Sequence, residues 1–191
     1  MHKLLFLLVG LFAMQPALAD WQVDAESSRV SFVASKDADQ HVIGRFYGLL
    51  GGVDKAGKVK LKVELDSLRT GVLLQDQRLD KELFETSKFA FAEVRGQLDL
   101  LRITKLAPGA QMQLQLPVIL SRHGMQKALN LELQVTRLDQ HRFQVVTFTP
   151  VVLNAADFGL SPALDKLAKS VGLHSVSLIV PVSAVLIFSE Y

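Results

Sequence analysis

Between Lys58 and Asp66 the chain alternates without a break: Val59, Leu61, Val63 and Leu65 are apolar, and Lys58, Lys60, Lys62, Glu64 and Asp66 are charged. This two-residue period belongs to an extended backbone, because successive side chains of a strand point to opposite faces. The segment therefore has a dry face and a wet face, and the dry one needs a covering surface. The same period recurs along the chain. Val30, Phe32 and Ala34 share one face, as do Val42, Gly44, Phe46 and Gly48. Met112, Leu114, Leu116, Val118 and Leu120 alternate with Gln111, Gln113 and Gln115, and Leu129, Leu131, Leu133 and Val135 with Asn130, Glu132, Gln134 and Thr136. Val176, Leu178, Val180 and Val182 complete the series. Residues 89–100 and 142–153 are strand-like with a slip of phase, as a bulge would cause. Turn residues at Lys55-Ala56-Gly57, Pro108-Gly109 and His123-Gly124 separate the strands, which number about eight.

Two stretches depart from the period. Leu79 and Leu83 stand four apart amid Asp76, Arg78, Asp80, Lys81 and Glu82, which predicts a short amphipathic helix over 75–85. Ser161 and Pro162 read as an N-cap followed by proline at the first helical position, with Leu164, Leu167, Ala168 and Val171 as the apolar stripe and Gly172 as the stop. The expected architecture is all-β: one antiparallel eight-stranded barrel with one or two short helices. Closure removes the sheet edges that invite aggregation.

Residues 1–19 read as an address rather than as part of the fold. A basic start at Lys3, an apolar run from Leu4 to Met14 and an Ala17-Leu18-Ala19 ending form a secretory signal. The run is shorter than the roughly 20 residues a spanning helix needs. The expectation is cleavage after Ala19, a periplasmic or secreted protein of residues 20–191, and no membrane-spanning segment once the signal is gone. With no cysteine in the chain there is neither a disulfide nor a thiolate to depend on the oxidising compartment. A formal charge of +2 argues against a nucleic-acid partner.

Catalytic, metal and cofactor motifs are not found: no nucleophile elbow, no phosphate loop, no dinucleotide glycine pattern and no zinc signature. His41, His123, His141 and His174 lie far apart in the chain. Asp76 and Arg78 read either as a solvated helix face or as polar groups at a barrel mouth, meeting a ligand's head. Of the 11 phenylalanines, Phe6 and Phe12 fall in the leader. Phe32, Phe46, Phe84, Phe89, Phe91, Phe143 and Phe158 fall on or beside the expected elements, with Leu114 and Leu116 on an inward face. Together with the small residues Ala34, Gly44, Gly48, Gly51, Gly52, Ala90 and Ala92 they fit two arrangements equally, a filled core or a long apolar cavity.

The order of several segments resembles the YceI family of periplasmic, lipocalin-like proteins that bind polyisoprenoids. Val23-Asp24-Ala25-Glu26-Ser27-Ser28-Arg29-Val30-Ser31-Phe32 is similar to its opening strand, and Gly44-Arg45-Phe46 running to Gly51-Gly52-Val53 to its early hairpin. Asp66-Ser67-Leu68-Arg69-Thr70-Gly71, followed by Gln75-Asp76-Gln77-Arg78-Leu79, is similar to its Ser-Ile-x-Thr-Gly and Arg-Asp-x-x-Leu run. Leu83-Phe84-Glu85-Thr86-Ser87-Lys88-Phe89-Ala90 resembles the exit from its helix. Leu120-Ser121-Arg122-His123-Gly124-Met125 and Asp157-Phe158-Gly159-Leu160 resemble its later turn and its Asp-Phe-Gly-Ile. Gln75 stands where the family commonly has Arg, and Arg78 where it has His. The resemblance implies a lipocalin-like barrel and a non-enzymatic carrier for an isoprenoid or a quinone tail, with no cofactor. The ligand would lie among Phe32, Phe46, Phe84, Phe89, Phe91, Leu114, Leu116, Phe143 and Phe158, near Asp76 and Arg78. A homodimer is compatible with it. Two rival readings remain. One is a lipid-acting enzyme using Asp76, Arg78 and His123. The other is an outer-membrane barrel, suggested by the terminal Phe188-Ser189-Glu190-Tyr191.

Overall fold

Each alternating segment becomes a stave of a barrel wall. The structure, a computed structural model, describes residues 21–37 and 40–190, so the leader expected over 1–19 lies outside the described residues. Along the chain come β1 (Trp21–Val23), β2 (Arg29–Lys36), β3 (Gln40–Phe46), β4 (Leu49–Val53), β5 (Lys58–Glu64) and the short β6 (Leu68–Arg69). Next is α1 (Leu73–Arg78), which widens into a π-helical turn over Leu79–Phe84. Then follow β7 (Phe91–Gln97), α2 (Leu100–Thr104), β8 (Gln111–Arg122), β9 (Met125–Arg137), β10 (Arg142–Thr147), β11 (Val151–Asn154), α3 (Ser161–Ser170) and β12 (Ile179–Glu190).

All the paired strands run antiparallel. The ring is β1-β4-β5-β7-β8-β9-β10-β12, and β12 pairs back onto β1 to close eight staves. The remaining strands are interrupted continuations of these staves. β12 carries β1 at its C-terminal end and β2 further back along the same edge, while β10 and β11 share its other edge. The phase slip expected over 142–153 is the gap between β10 and β11, which holds Phe148, Thr149 and Pro150.

The opening motif works as a joint in this wall. Between β1 and β2 the chain leaves the ladder, and Ile187 would lose its main-chain partners. The Asp24 N–H donates to the Ile187 carbonyl at 2.8 Å, and the Ser28 hydroxyl accepts from the Ile187 N–H at 2.8 Å. Ser28 is fully buried, so its hydroxyl meets the requirement that a buried backbone donor be paired. The Asp24 carboxylate accepts from the N–H groups of Glu26 and Ser27, which tightens the turn.

The two ends of the barrel are closed differently. At the base, Trp21 and Phe143 meet with ring centres 4.6 Å apart, and α2 brings Ile103 against the same cluster. The sequence reading did not anticipate α2. At the other end α1, its π turn and α3 form a cap over a second apolar cluster built on Leu83, Phe158 and Leu164. Ser161 is the first residue of α3 rather than its cap; Leu160 occupies the capping position without a side-chain bond, and Pro162 stands in the first turn as expected. Gly172, at φ 74°, ends the element.

A tether joins the cap region to the wall. The Asp37 carboxylate accepts from the N–H groups of His174 and Ser175 at 2.8 and 2.9 Å. These bonds, the one from Ser175 first, hold its carboxyl below the ordinary value of 3.8. A lowered folded-state value stabilises above the unfolded value and is lost as pH falls through the folded one. The His174 and Ser175 amides are therefore expected to stay protected from hydrogen exchange above pH 3.8 and to lose protection below it. Asp37→Ala should abolish that protection at neutral pH; unchanged protection in the variant would show that the tether contributes nothing.

Candidate functional site

The inward faces of the staves do not meet. They enclose a cavity of about 800 Å³, inside the range of roughly 300–1,000 Å³ usual for ligand sites. Its walls are almost wholly apolar, with Leu116, Val118, Leu131 and Val182 among them, and its lower part is bounded by Trp21 and Phe143. The cavity reaches the surface where α1, the end of α3 and the end of β2 come together. There Val72, Leu74 and Val171 line it and are also exposed, beside Lys36, Gln75 and Arg78. An apolar lumen is the inverse of a porin-type barrel, whose lumen is polar. No helix among the described residues is long and apolar enough to cross a membrane.

The residues expected to hold a ligand divide by strand parity. Phe32, Phe46, Phe84, Leu114, Leu116, Phe143, Phe158 and Arg78 line the cavity. The Phe46 ring lies 5.8 Å from Phe32 and 6.1 Å from Phe84, so a chain of aromatic contacts links the wall to the π turn. Phe91 is corrected to the outer face. It alternates with the inward Ala92 and Val94, it is exposed, and the Lys62 ammonium sits 4.9 Å from its ring centre. Phe89 precedes β7 and does not reach the cavity; its ring packs edge-on to His123, 3.8 Å between centres. The small residues likewise do different things. Ala34 and Ala92 widen the lumen. Gly44 leaves no void, because a Cβ there would lie 2.3 Å from the Phe32 ring, which covers the glycine from the neighbouring strand.

Asp76 is also corrected. Its carboxylate is buried and turned away from the cavity, accepting from the Thr70 N–H at 2.8 Å and the Thr70 hydroxyl at 2.5 Å. It locks the Thr70-Gly71 turn onto the first turn of α1. Asp76→Ala leaves the half-buried Thr70 N–H and hydroxyl without their acceptor, a loss of about 1 kcal/mol. The expected result is a correspondingly lower denaturation midpoint and faster hydrogen exchange in α1, and unchanged exchange would rule the lock out. Among the described residues no hydrogen bond or ion pair joins Asp76, Arg78 and His123. His123 takes a positive φ of 54° with Gly124 at 76°, a two-residue turn of the hairpin kind, and its Nε2 lies 3.7 Å from Glu85. The triad that a lipid-acting enzyme would need is not assembled.

One wall residue was not singled out from the sequence. Arg122 follows Leu116, Val118 and Leu120 on the inward parity of β8, and it lines the cavity at only 7% exposure. The period that placed the leucines inside places this arginine inside too.

The family model for the YceI-like domain matches residues 21–186. The chain belongs to the YceI-like family. Among solved structures, this YceI-like chain is similar to a polyisoprenoid-binding domain from Saccharophagus degradans implicated in plant cell wall breakdown, at 31% identity and a TM-score of 0.88. That match covers 91% of this chain and 99% of the other. BcnA of Burkholderia cenocepacia shares the fold at 14% identity and a TM-score of 0.65, over 86% of this chain and 98% of that one. The search of curated proteins finds no match. For a YceI-like domain the bonds of Asp24 and Ser28 to Ile187 and of Asp76 to Thr70 give two of its motifs a structural reason: the first pair joins the barrel wall and the second holds the cap turn.

Proposed function

We propose that this chain is a non-enzymatic carrier that encloses the hydrocarbon tail of an isoprenoid lipid or isoprenoid quinone in its barrel. The proposal places it in the periplasm or outside the cell after loss of residues 1–19. One observation carries it: an apolar cavity of about 800 Å³ that opens at a rim of exposed apolar side chains. A filled core would need no such void, since interiors otherwise pack to the density of organic crystals. Each methylene moved from water into the cavity gains about 0.8 kcal/mol, and ordering the chain offsets much of the sum. Recognition along such a wall is by shape and dryness, so tails of related length compete. The similar Saccharophagus domain is described as polyisoprenoid-binding, which favours an isoprenoid tail over a straight one.

The test is extraction. Protein purified from cells is expected to release an isoprenoid lipid into organic solvent, identified by mass spectrometry, and the stripped protein to take up an added prenyl lipid. Protein that emerges empty and refuses the added lipid overturns the proposal.

A further inference from the structure

Arg122 is a cation inside an apolar cavity wall. Its Nη2 donates to the carbonyls of Leu83 and Phe84 at 3.4 and 3.2 Å, and its guanidinium carbon lies 5.2 Å from the centre of the Phe84 ring. Nε and Nη1 have no hydrogen-bond partner among the described residues and are sealed from water. Burial pushes the group down to about 10, so it keeps its charge at neutral pH. Glu85 is the carboxylate whose charge it feels, but Glu85 is half-exposed and bonded to Lys88 at 2.9 Å. A buried ion without a counter-charge is strongly unfavourable, and buried charges are ordinarily paired.

The two bonds to the π turn and the Phe84 contact would suffice for a structural staple. They leave two of the three guanidinium nitrogens unused and the charge compensated only by the half-exposed Glu85, which is itself bonded to Lys88. A methionine or leucine would fill the same wall with neither penalty. We infer that Arg122 is an oxyanion-binding residue within the cavity, and that the lipid this chain carries bears a single carboxylate at one end. A guanidinium matches a carboxylate in a two-pronged, planar pairing that is both directional and strong. One carboxylate neutralises one arginine. A diphosphate carries more negative charge than one guanidinium neutralises, and the other cations of the lining, Lys36 and Arg78, stand at the rim. Nε and Nη1 are themselves covered by protein atoms, so reaching the ligand asks the long side chain to turn off the Phe84 ring and give up its two bonds to the π turn; both residues already line the same cavity. Arg78 is half-buried at the rim and is a separate group. This inference rests on the carrier proposal and narrows its ligand to an isoprenoid acid, since a quinone ring bears no carboxylate.

The experiment compares three ligands with one tail: geranylgeranoic acid, geranylgeraniol and geranylgeranyl diphosphate, titrated into the delipidated protein and its Arg122→Met and Arg122→Gln variants. The expected result is a preference of about tenfold or more for the acid over the alcohol, the effect of one charge-assisted pair. Read as the ratio of acid to alcohol binding within each variant, the preference should fall to about one in Arg122→Met and be largely lost in Arg122→Gln. Equal binding of acid and alcohol by the natural protein, or a preference that survives in Arg122→Met, overturns the assignment. A diphosphate bound more tightly than the acid overturns the single-carboxylate class. Failure of all three ligands to bind overturns the carrier proposal itself, and this inference with it.

Discussion

Leu116→Arg is expected to abolish lipid uptake. Leu116 is 6% exposed, faces the lumen from β8 and sits opposite Leu131 on β9. An arginine there puts an unpaired charge into an apolar space, at an effective penalty of several kcal/mol. It also blocks the path of any tail. Binding should fall roughly 100-fold or more, since each 1.4 kcal/mol is a factor of ten. Gln113→Arg, three residues away on the outer face of the same strand, adds the same charge and should bind as the natural protein does. Because Leu116→Arg can fail to fold, Ala92→Phe serves as a second probe: it stays apolar but fills lumen beside β5. Undiminished uptake in either folded wall variant would show that the lipid does not occupy the barrel.

Gly51→Ala is expected to be the most damaging single methyl group in the wall. Gly51 has φ +111°, and a Cβ there would lie 2.0 Å from the Lys60 carbonyl oxygen, a backbone atom of the paired strand. The residue cannot relax by turning a side chain, so β4 must part from β5 or bend. Backbone strain of this kind costs about 1–3 kcal/mol before the clash is added. A loss of at least about 3 kcal/mol corresponds to a fall in Tm of roughly 6–12 °C for a chain of this size. Gly109→Ala separates the two causes. Gly109 also has a positive φ, +82°, but a Cβ there meets nothing within 4 Å. That variant should lose only the conformational part, about 1 kcal/mol. Equal losses in the two variants would show that the contact with Lys60 plays no part.

Barrel class and strand parity were legible because a wall with one dry and one wet face writes itself into the chain at period two. Val30, Phe32 and Ala34 face the lumen for the same reason that Leu116, Val118 and Leu120 do. Parity failed where it was not followed. Phe91 is aromatic but alternates with the inward Ala92 and Val94, and Arg122 is charged but keeps step with three inward residues. Asp76 fits either a solvated helix face or a group at the barrel mouth from the sequence, and its actual partner, Thr70, lies six residues away on a turn whose path no local pattern specifies. The expected eight strands are the eight staves of the ring, although several are interrupted: β1 and β2 share one edge of β12 across a break that Ser28 bridges.

By itself the amino-acid order determined which side of each strand avoids water, where the turns fall and that the sheet had a reason to close. Whether the dry faces would touch or stand apart was decided only by the assembled barrel. Side-chain volume and stave spacing are properties of the whole ring, and a glycine covered by a neighbour's ring, as at Gly44, looks the same in the chain as an alanine that leaves space, as at Ala92. The charge of Arg122 became conspicuous for the same reason: its isolation depends on which groups from distant elements come near it, and among the described residues none beside its two free nitrogens offers them an acceptor.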